Sequence, residues 1–343
     1  MTVQIEVQPF SHGFDCEENE TILSAALRQG LLLRYGCKNG GCGTCKIKLI
    51  DGDIESDTRN SFTLTPDEVE DDWFLPCITQ AMDDCVVDVS QMELTEEEFL
   101  SGDTSLEFET EVAVNEPMTP DIRRLRLRIK NPDGMEFTAG QFANIQIPGT
   151  DLLRPYSMAN ASRERNMLEF GIKVLPGGVF SDVLSKDLRV GDKLVVHGPY
   201  GDLRIRSSHR NIIMIAGGSG LAPLLSMLHH LADKGNIRPV QLFFGARTLD
   251  DLYYLEDIQS IQEEMPCLEF IPVLSESWPE DWAGATGMVT DVVKEMLPSL
   301  NNYDAYMCGP PPMIDAAIPI LGELGVRPRN IYFDAFVPSA SAA

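Results

Sequence analysis

The sequence predicts a multidomain protein of mixed α+β and α/β class: a small sheet domain, an antiparallel β-barrel, and a doubly wound parallel sheet. Three observations predict it. The 343 residues exceed what one ordinary core accommodates and suit two or three domains. Short apolar/polar alternations run through the earlier part of the chain, as in Val3-Gln4-Ile5-Glu6-Val7 and Arg124-Leu125-Arg126-Leu127-Arg128-Ile129. From Arg210 onward, apolar runs alternate with helical stretches, the pattern of buried parallel strands joined by crossover helices.

Composition sets the class without narrowing it. With 43% apolar and 23% charged residues, collagenous, coiled-coil and disordered classes are excluded. Residues 1–10 alternate like a strand and are not a basic, apolar leader, so a secretory signal is not expected. The longest apolar stretch, 212–228, is broken by Gly217, Gly218, Gly220 and Pro223 and does not read as a membrane span. A cytoplasmic protein away from membranes is expected. The net charge of -26 disfavours nucleic acid and anionic lipid as partners. Residues 1–103 hold 22 acids and 6 bases, yet Arg28, Arg34, Lys38, Lys46 and Lys48 form a stretch with no acid between them. Two readings of this reversal stand: a docking collar, or cations that offset a negatively charged centre.

The cysteines supply the sharpest chemistry. In a chain this long with no signal peptide, eight cysteines point to metal or redox duty before disulfides. Cys37, Cys42 and Cys45 form C-x4-C-x2-C, and Cys77 follows within Leu75-Pro76-Cys77-Ile78. That is the spacing of a plant-type [2Fe-2S] site, in which four thiolates hold two irons. Gly36, Gly40, Gly41 and Gly43 allow a tight loop whose amides point at sulfur. A structural zinc site is the alternative, but it usually pairs two C-x2-C knuckles and only one is present. Cys16, Cys85 and Cys267 lie outside this spacing and are expected to be buried, inert thiols. Around the ligands, strand-like alternation at 3–7 and 46–50 and a helical stretch at 20–29, with Thr21 as its cap, resemble a ferredoxin-like β-grasp domain. We assign it 1–92, with the acid-rich 93–105 as linker.

The barrel pattern of 106–207 carries two motifs. Arg154-Pro155-Tyr156-Ser157 follows Ile147-Pro148-Gly149, and Lys173-Val174-Leu175-Pro176-Gly177-Gly178-Val179-Phe180-Ser181 comes about twenty residues later. Arg154 can neutralise a pyrophosphate, Tyr156 can offer a flat face to an isoalloxazine ring, and Ser157 can hydrogen-bond near its reactive nitrogen. Gly177 and Gly178 let the amides that open the helix at Val179 and Ser181 approach a phosphate. In this order the motifs resemble the ferredoxin-NADP reductase superfamily. With a cluster domain at the amino end, the chain is similar to reductase components of bacterial multicomponent oxygenases, above all those of soluble diiron monooxygenases acting on methane, propane, alkenes or phenols. The stretch from Gly140 to Thr150 is similar to the one before the Arg-x-Tyr-Ser motif of methane monooxygenase reductases. The resemblance implies FAD as the flavin, with Arg154, Tyr156, Ser157, Lys173, Gly177, Gly178, Val179 and Ser181 around it.

Residues 208–338 read as a nicotinamide domain and 339–343 as a frayed tail. Strands are expected at 211–216, 240–244, 268–274, 303–307 and 331–333, with helices at 221–234, 255–265, 288–297 and 312–324. Gly217-Gly218-Ser219-Gly220 lies where the first strand meets its helix, the place of a dinucleotide pyrophosphate. It lacks the third glycine of G-x-G-x-x-G but resembles the superfamily's own version, with Pro223 in the first helical turn. Cys308-Gly309-Pro310 resembles the superfamily's second nicotinamide motif, which implies that Cys308 lies beside the hydride-transfer position; the alternative is a small core residue that ends the strand. Phe336 either covers the flavin, as the resemblance implies, or is plain packing. After the second strand, Arg247 stands alone among Asp250, Asp251, Glu256 and Asp257, so NADH is expected over NADPH. The five histidines show no ligand spacing and are assigned to surface or packing roles.

A nicotinamide gives two electrons together, whereas a [2Fe-2S] centre takes one, and flavin works in both modes. The expectation is a monomeric NADH:acceptor oxidoreductase that serves a separate diiron hydroxylase component. The chain shows no Glu-x-x-His pairs or facial His/carboxylate groups for activating oxygen itself. The reductase of a ring-hydroxylating dioxygenase is the alternative, and a non-catalytic redox sensor is a second of another class.

Overall fold

The computed structural model describes residues 2–36, 38, 40–41, 43–56, 63–64, 66–92, 94–101 and 106–336. Cys37 and Cys42, and the tail from 337 on, lie outside the described residues. The chain divides into two compact units, one of residues 1–106 with Tyr200–Asp202, the other of Glu107–Pro199 and Leu203–Ala343.

The first unit opens with the hairpin β1 (Val3–Gln8) and β2 (His12–Cys16), whose alternation puts Ile5 and Val7 in the core. Helix α1 (Ile22–Arg28) follows, and Thr21 starts it by accepting a hydrogen bond from Ser24 N at 3.2 Å. Then come β3 (Ile47–Asp51), β4 (Ile54–Ser56), α2 (Pro66–Glu70), β5 (Trp73–Phe74), β6 (Thr79–Ala81) and β7 (Cys85–Asp88). The main sheet has the order β2-β1-β7-β3-β5, with β1 parallel to β7 and its other pairings antiparallel; β4 and β6 pair separately. Apolar residues of α1 close over this sheet, Ile22, Ala25 and Ala26 joining Ile47, Leu75 and Val87 in one core.

The acid-rich segment expected to be a linker is partly folded into this unit. It holds α3 (Glu96–Leu100), started by a reciprocal cap in which Thr95 Oγ1 accepts from Glu98 N and Glu98 accepts from Thr95 N at 2.8 Å. Phe99 is fully buried against Phe10, with ring centroids 5.1 Å apart, and its carbonyl accepts from Leu32 N at 2.8 Å. One buried aromatic outweighs the acidic composition around it.

The second unit carries two sheets. Strands β8 (Leu106–Pro117), β9 (Ile122–Asn131), β10 (Phe142–Gln146), β11 (Leu153–Ser157) and β12 (Met167–Lys173) precede the short α4 (Val179–Asp182), and β13 (Lys193–Tyr200) completes a sheet of order β11-β10-β13-β8-β9-β12. Leu125, Leu127, Ile145, Phe170 and Val196 fill its interior, while arginines alternate with them along β9. The parallel sheet is built from β14 (Asn211–Gly217), α5 (Leu221–Asp233), β15 (Val240–Ala246), α6 (Leu255–Glu264), β16 (Leu268–Leu274), β17 (Ala285–Thr286), α7 (Val289–Met296), β18 (Tyr303–Gly309), α8 (Pro311–Glu323) and β19 (Ile331–Ala335). Its order is β17-β16-β15-β14-β18-β19, so the chain moves outward one way from β14 and then returns to its other side. The switch point therefore lies between the carboxyl ends of β14 and β18, where open α/β sheets bind ligands.

Candidate functional site

Two of the four predicted cluster ligands are described. Cys45 and Cys77 are buried cysteines within the core of the first unit. Cys45 sits in a turn closed by Lys46 N donating to Gly43 O at 3.1 Å, entered through Gly43 at φ +68°. Thr63 ties this loop down by donating to Gly40 O at 3.2 Å, and its Cβ would stand 3.2 Å from a side chain at Gly43, a tight contact added to the left-handed backbone there. Cys77 lies in a second turn, fixed by Ile78 N to Leu75 O at 3.0 Å, Thr79 Oγ1 to Leu75 O at 2.8 Å and Leu23 N to Pro76 O at 3.0 Å. Buried thiols on pinned turns suit thiolate ligation of a [2Fe-2S] cluster, which needs a rigid sulfur cage shielded from water.

Four of the five bases of the suspected collar have partners within this unit. Arg28 pairs with Glu20 at 2.6 Å, Lys46 with Glu68 at 2.6 Å, Arg34 Nε donates to Met92 O at 2.7 Å, and Lys38 lies 4.4 Å from the Tyr35 ring centre. His12, assigned to a surface or packing role, faces Glu96 at 2.8 Å. Cys16 and Cys85 are buried, and desolvation pushes both thiols upward, Cys85 to about 11; Cys267 is only partly covered.

In the second unit the predicted flavin residues lie on β11 and the loop before α4. The β10–β11 pairing sets Arg154 opposite Ile145, Tyr156 opposite Ala143 and Ser157 opposite Phe142. Arg154 Nη1 donates to Leu153 O at 2.9 Å. The Tyr156 ring meets Phe180 of α4 at 5.6 Å, so the two motifs converge, and packing pushes its phenol well above the ordinary range. Ser181 is buried and accepts from Leu175 N at 2.9 Å, so its hydroxyl closes the glycine loop. Gly177 adopts φ +74° with open space where a side chain would be, and Val179 is exposed. An open glycine face at a helix start is what a phosphate-bearing cofactor needs.

Both nicotinamide motifs meet at the switch point. Cys308, fully buried, lies opposite Ala216 on the adjacent strand, and a Cβ at Gly220 would stand 2.0 Å from Cys308 O. One at Gly309 would stand 3.1 Å from the backbone of Gly217, and one at Gly217 would stand 3.2 Å from Pro310. Gly220 and Gly309 let backbone approach backbone, and Gly217 leaves room for the Met313 side chain and the Pro310 ring. Gly218, at φ +54°, instead faces open space, as a turn that receives a pyrophosphate must. Burial, then the nearby Asp334, hold the Cys308 thiol well above its usual value, so it stays neutral. Phe336 N donates to Gly309 O at 2.8 Å, which brings this aromatic to the second motif.

Several contacts were not visible in the sequence. Tyr253 Oη donates to Gly218 O at 2.9 Å. Ser226 of α5 donates to Asn160 O at 2.8 Å, while the Asn160 side chain bonds Glu169 N and Met167 O. This joins the segment after Ser157 to the helix that begins at the glycine turn. Lys173 Nζ lies 3.4 Å from Asp121, whose carboxylate also meets Arg247 at 3.0 Å and accepts from Thr119 Oγ1 at 3.4 Å.

Comparison with known proteins agrees with this geometry. Three family models match: a 2Fe-2S iron-sulfur cluster binding domain over residues 5–82, an oxidoreductase FAD-binding domain over 109–205, and an oxidoreductase NAD-binding domain over 214–318. The chain is 38% identical to the reductase component of propane 2-monooxygenase from Mycolicibacterium goodii, over 97% of both chains. It is 31% identical to the ferredoxin--NAD(P)(+) reductase component of the naphthalene 1,2-dioxygenase/salicylate 5-hydroxylase systems of a Ralstonia species, over 98% of this chain and 99% of that one. Among solved structures, the cytochrome P450 reductase GcoB of Amycolatopsis superposes with a TM-score of 0.75 at 30% identity, over 98% of this chain and 99% of that one. With motifs, fold and comparisons agreeing, the chain belongs to the family of oxidoreductases that are reductase components of monooxygenases, with FAD-, NAD- and [2Fe-2S]-binding domains in the ferredoxin-NADP reductase type of architecture.

Proposed function

We propose that the protein is the NADH-dependent reductase of a soluble diiron monooxygenase, passing electrons from NADH by way of FAD and the [2Fe-2S] cluster to the hydroxylase component. The observation that carries the reading of the donor end is the meeting of Gly217–Gly220 and Cys308–Pro310 at the switch point, with backbone contacts that only glycine permits. Bound FAD supplies the conversion from paired to single electrons. The residues around it divide the remaining work. Arg154 offsets phosphate charge, Tyr156 and Ser157 face the ring, and Gly177, Gly178, Val179 and Ser181 form the phosphate loop. Gly217, Gly218 and Gly220 seat the dinucleotide, Gly309, Pro310 and Phe336 border the nicotinamide, and Cys308 borders it as a neutral thiol. Cys37, Cys42, Cys45 and Cys77 hold the cluster.

We divide the chain for this purpose into a cluster domain 1–92, a connecting segment 93–105, an FAD domain 106–207, a nicotinamide domain 208–338 and a tail 339–343. No helix among the described residues is long and apolar enough to cross a membrane. A monomer in the cytoplasm, without nucleic-acid partners, agrees with the net charge of -26.

NADH is preferred because Arg247, which follows β15, is paired with Asp121 at 3.0 Å and Asp251 at 2.9 Å. The diiron partner is favoured by the flavin-segment resemblance and by 38% identity to a propane monooxygenase reductase against 31% to a dioxygenase-system reductase. The latter similarity keeps a Rieske-type oxygenase as the second reading. The test is stopped-flow reduction of purified partners: the NADH-reduced protein should reduce a diiron hydroxylase within its turnover time and a Rieske oxygenase much more slowly. The reverse order would reject the diiron assignment.

A further inference from the structure

The turn after β15 is where a parallel dinucleotide-binding sheet reads the adenosine ribose: a carboxylate there accepts from a 2'-hydroxyl, and an arginine there holds a 2'-phosphate. Arg247 occupies that turn, one residue beyond Ala246, and nearly half of its side chain is exposed (49%). By position and reach it could hold a 2'-phosphate. Its Nη2, however, lies 2.9 Å from Asp251 Oδ1 and 3.0 Å from Asp121 Oδ2.

The two acids differ in origin. Asp251 is local and structurally committed, because Oδ2 accepts from Thr248 N at 3.0 Å and Thr248 Oγ1 at 3.1 Å. Asp121 comes from the barrel sheet, just before β9, and reaches Arg247 across 126 residues of sequence. It is held there by Val174 N donating to its carbonyl at 2.7 Å and by Thr119 Oγ1 accepting from its amide at 3.3 Å. Lys173 approaches the same carboxylate oxygen at 3.4 Å. The four side chains Lys173, Arg247, Asp121 and Asp251 sum to zero charge, and Glu276, whose amide donates to Arg247 O at 2.9 Å, adds a negative charge beside them. A dianionic 2'-phosphate gains nothing from such a group. A ribose hydroxyl loses nothing.

We propose that Asp121 is a specificity-determining residue for the coenzyme: the barrel lends the nicotinamide domain a carboxylate that, with Asp251, occupies Arg247 and so disfavours a 2'-phosphate. The inference rests on the reading of this turn as the ribose end of the NADH site. Asp121 itself is only 25% exposed, so its charge is less screened than that of a fully exposed surface carboxylate. Removing it takes the five side chains, Glu276 included, from a net charge of -1 to zero and leaves Arg247 Nη2 with Asp251 alone.

The experiment uses the intact protein with its flavin and cluster. Binding of 2',5'-ADP and of 5'-ADP is measured by calorimetry, and kcat/KM is measured with NADPH and NADH, for the wild type, Asp121→Asn, Arg247→Ala and the double variant. Asp121→Asn should raise the 2',5'-ADP to 5'-ADP affinity ratio about tenfold, and the NADPH to NADH ratio of kcat/KM should move the same way. The double variant should lose the gain. Unchanged ratios in Asp121→Asn, or a gain that survives loss of Arg247, would overturn the proposal. A wild type that already prefers NADPH would instead overturn the coenzyme reading, and Asp121 would still be judged by whether its variant shifts the ratio.

Discussion

The Tyr253 hydroxyl donates to the carbonyl of Gly218 at 2.9 Å, tying a residue two positions before α6 to the turn that opens α5. Gly218 has the left-handed backbone of the turn and an open face, so its peptide plane would be free to rotate without a fixed partner. Tyr253 is itself fixed, fully buried and packed edge-on against Phe244 of β15, with ring centroids 5.6 Å apart. The second strand of the sheet thus fixes, through Tyr253, the peptide plane of the glycine turn that follows the first.

Tyr253→Phe removes that hydrogen bond and nothing else of size. A neutral hydrogen bond of this kind contributes about 1 kcal/mol, which is roughly fivefold in a binding constant. Titration with NAD should show that weakening while flavin content stays the same. Burial pushes the Tyr253 phenol far above its ordinary range, so the loss should not vary with pH. Identical dissociation constants for wild type and variant would remove Tyr253 from the account of the site.

Gly220→Ala tests close packing at the same turn. At φ -66° the backbone tolerates alanine, so the obstacle is contact alone: the new methyl would stand 2.0 Å from Cys308 O and 2.7 Å from Gly309 N. The end of β18 must move away from α5, at a cost of about 1–3 kcal/mol, and it carries Cys308 with it. We expect a lower thermal midpoint and NADH-driven flavin reduction slowed at least about tenfold, since small misplacements of reacting groups are costly. Gly218→Ala faces open space and should lose less stability, only the left-handed strain of about 1–2 kcal/mol. Equal melting temperatures for wild type and Gly220→Ala would contradict the packing argument.

What could be read from the sequence was local. Cys45 and Cys77, Arg154 to Ser157, and the Gly217 and Cys308 turns each carry their chemistry in a few adjacent residues, and turn chemistry follows from glycine and proline. Tyr253, Ser226 and Asp121 could not be read, because their partners lie 35, 66 and 126 residues away and only the folded chain brings them together. Residues 94–101 failed in a different way. Thr95 and Glu98 do spell a helix start, but the acid run around Phe99 outweighed it in a reading by composition. His12 likewise finds Glu96 only through the fold, across 84 residues.

Cys45→Ser and Cys77→Ser separate the two ends of the electron path. Each should lower iron and inorganic sulfide content and weaken the electron paramagnetic resonance signal of the reduced cluster. Flavin content and NADH oxidation with ferricyanide should persist, because the flavin and nicotinamide residues belong to the other compact unit. Full iron and sulfide content in either variant would refute the ligand assignment. Loss of flavin along with iron would show that the units do not fold independently.

Cys308 supplies the pH prediction. Burial, then the charge of Asp334, raise its thiol well above the usual 9, so the native side chain is a neutral thiol through the working range. Flavin reduction by NADH should therefore show no thiol ionisation between about pH 6 and 9, and native protein at pH 8 should react with iodoacetamide at half-buried Cys267 before Cys308. The same shift has a stability consequence of fixed sign. In the unfolded chain this thiol ionises near its ordinary value, whereas the native one keeps its proton, so the native state binds more protons at high pH. Its contribution is full below about pH 9 and is lost as pH rises beyond that, at up to about 1.4 kcal/mol per pH unit. Cys85, pushed up to about 11, and Cys16 act in the same direction. Urea unfolding of Cys308→Ala should consequently lose less stability between pH 8 and pH 10 than the wild type does, and equal losses would mean that the native thiol ionises as freely as the unfolded one.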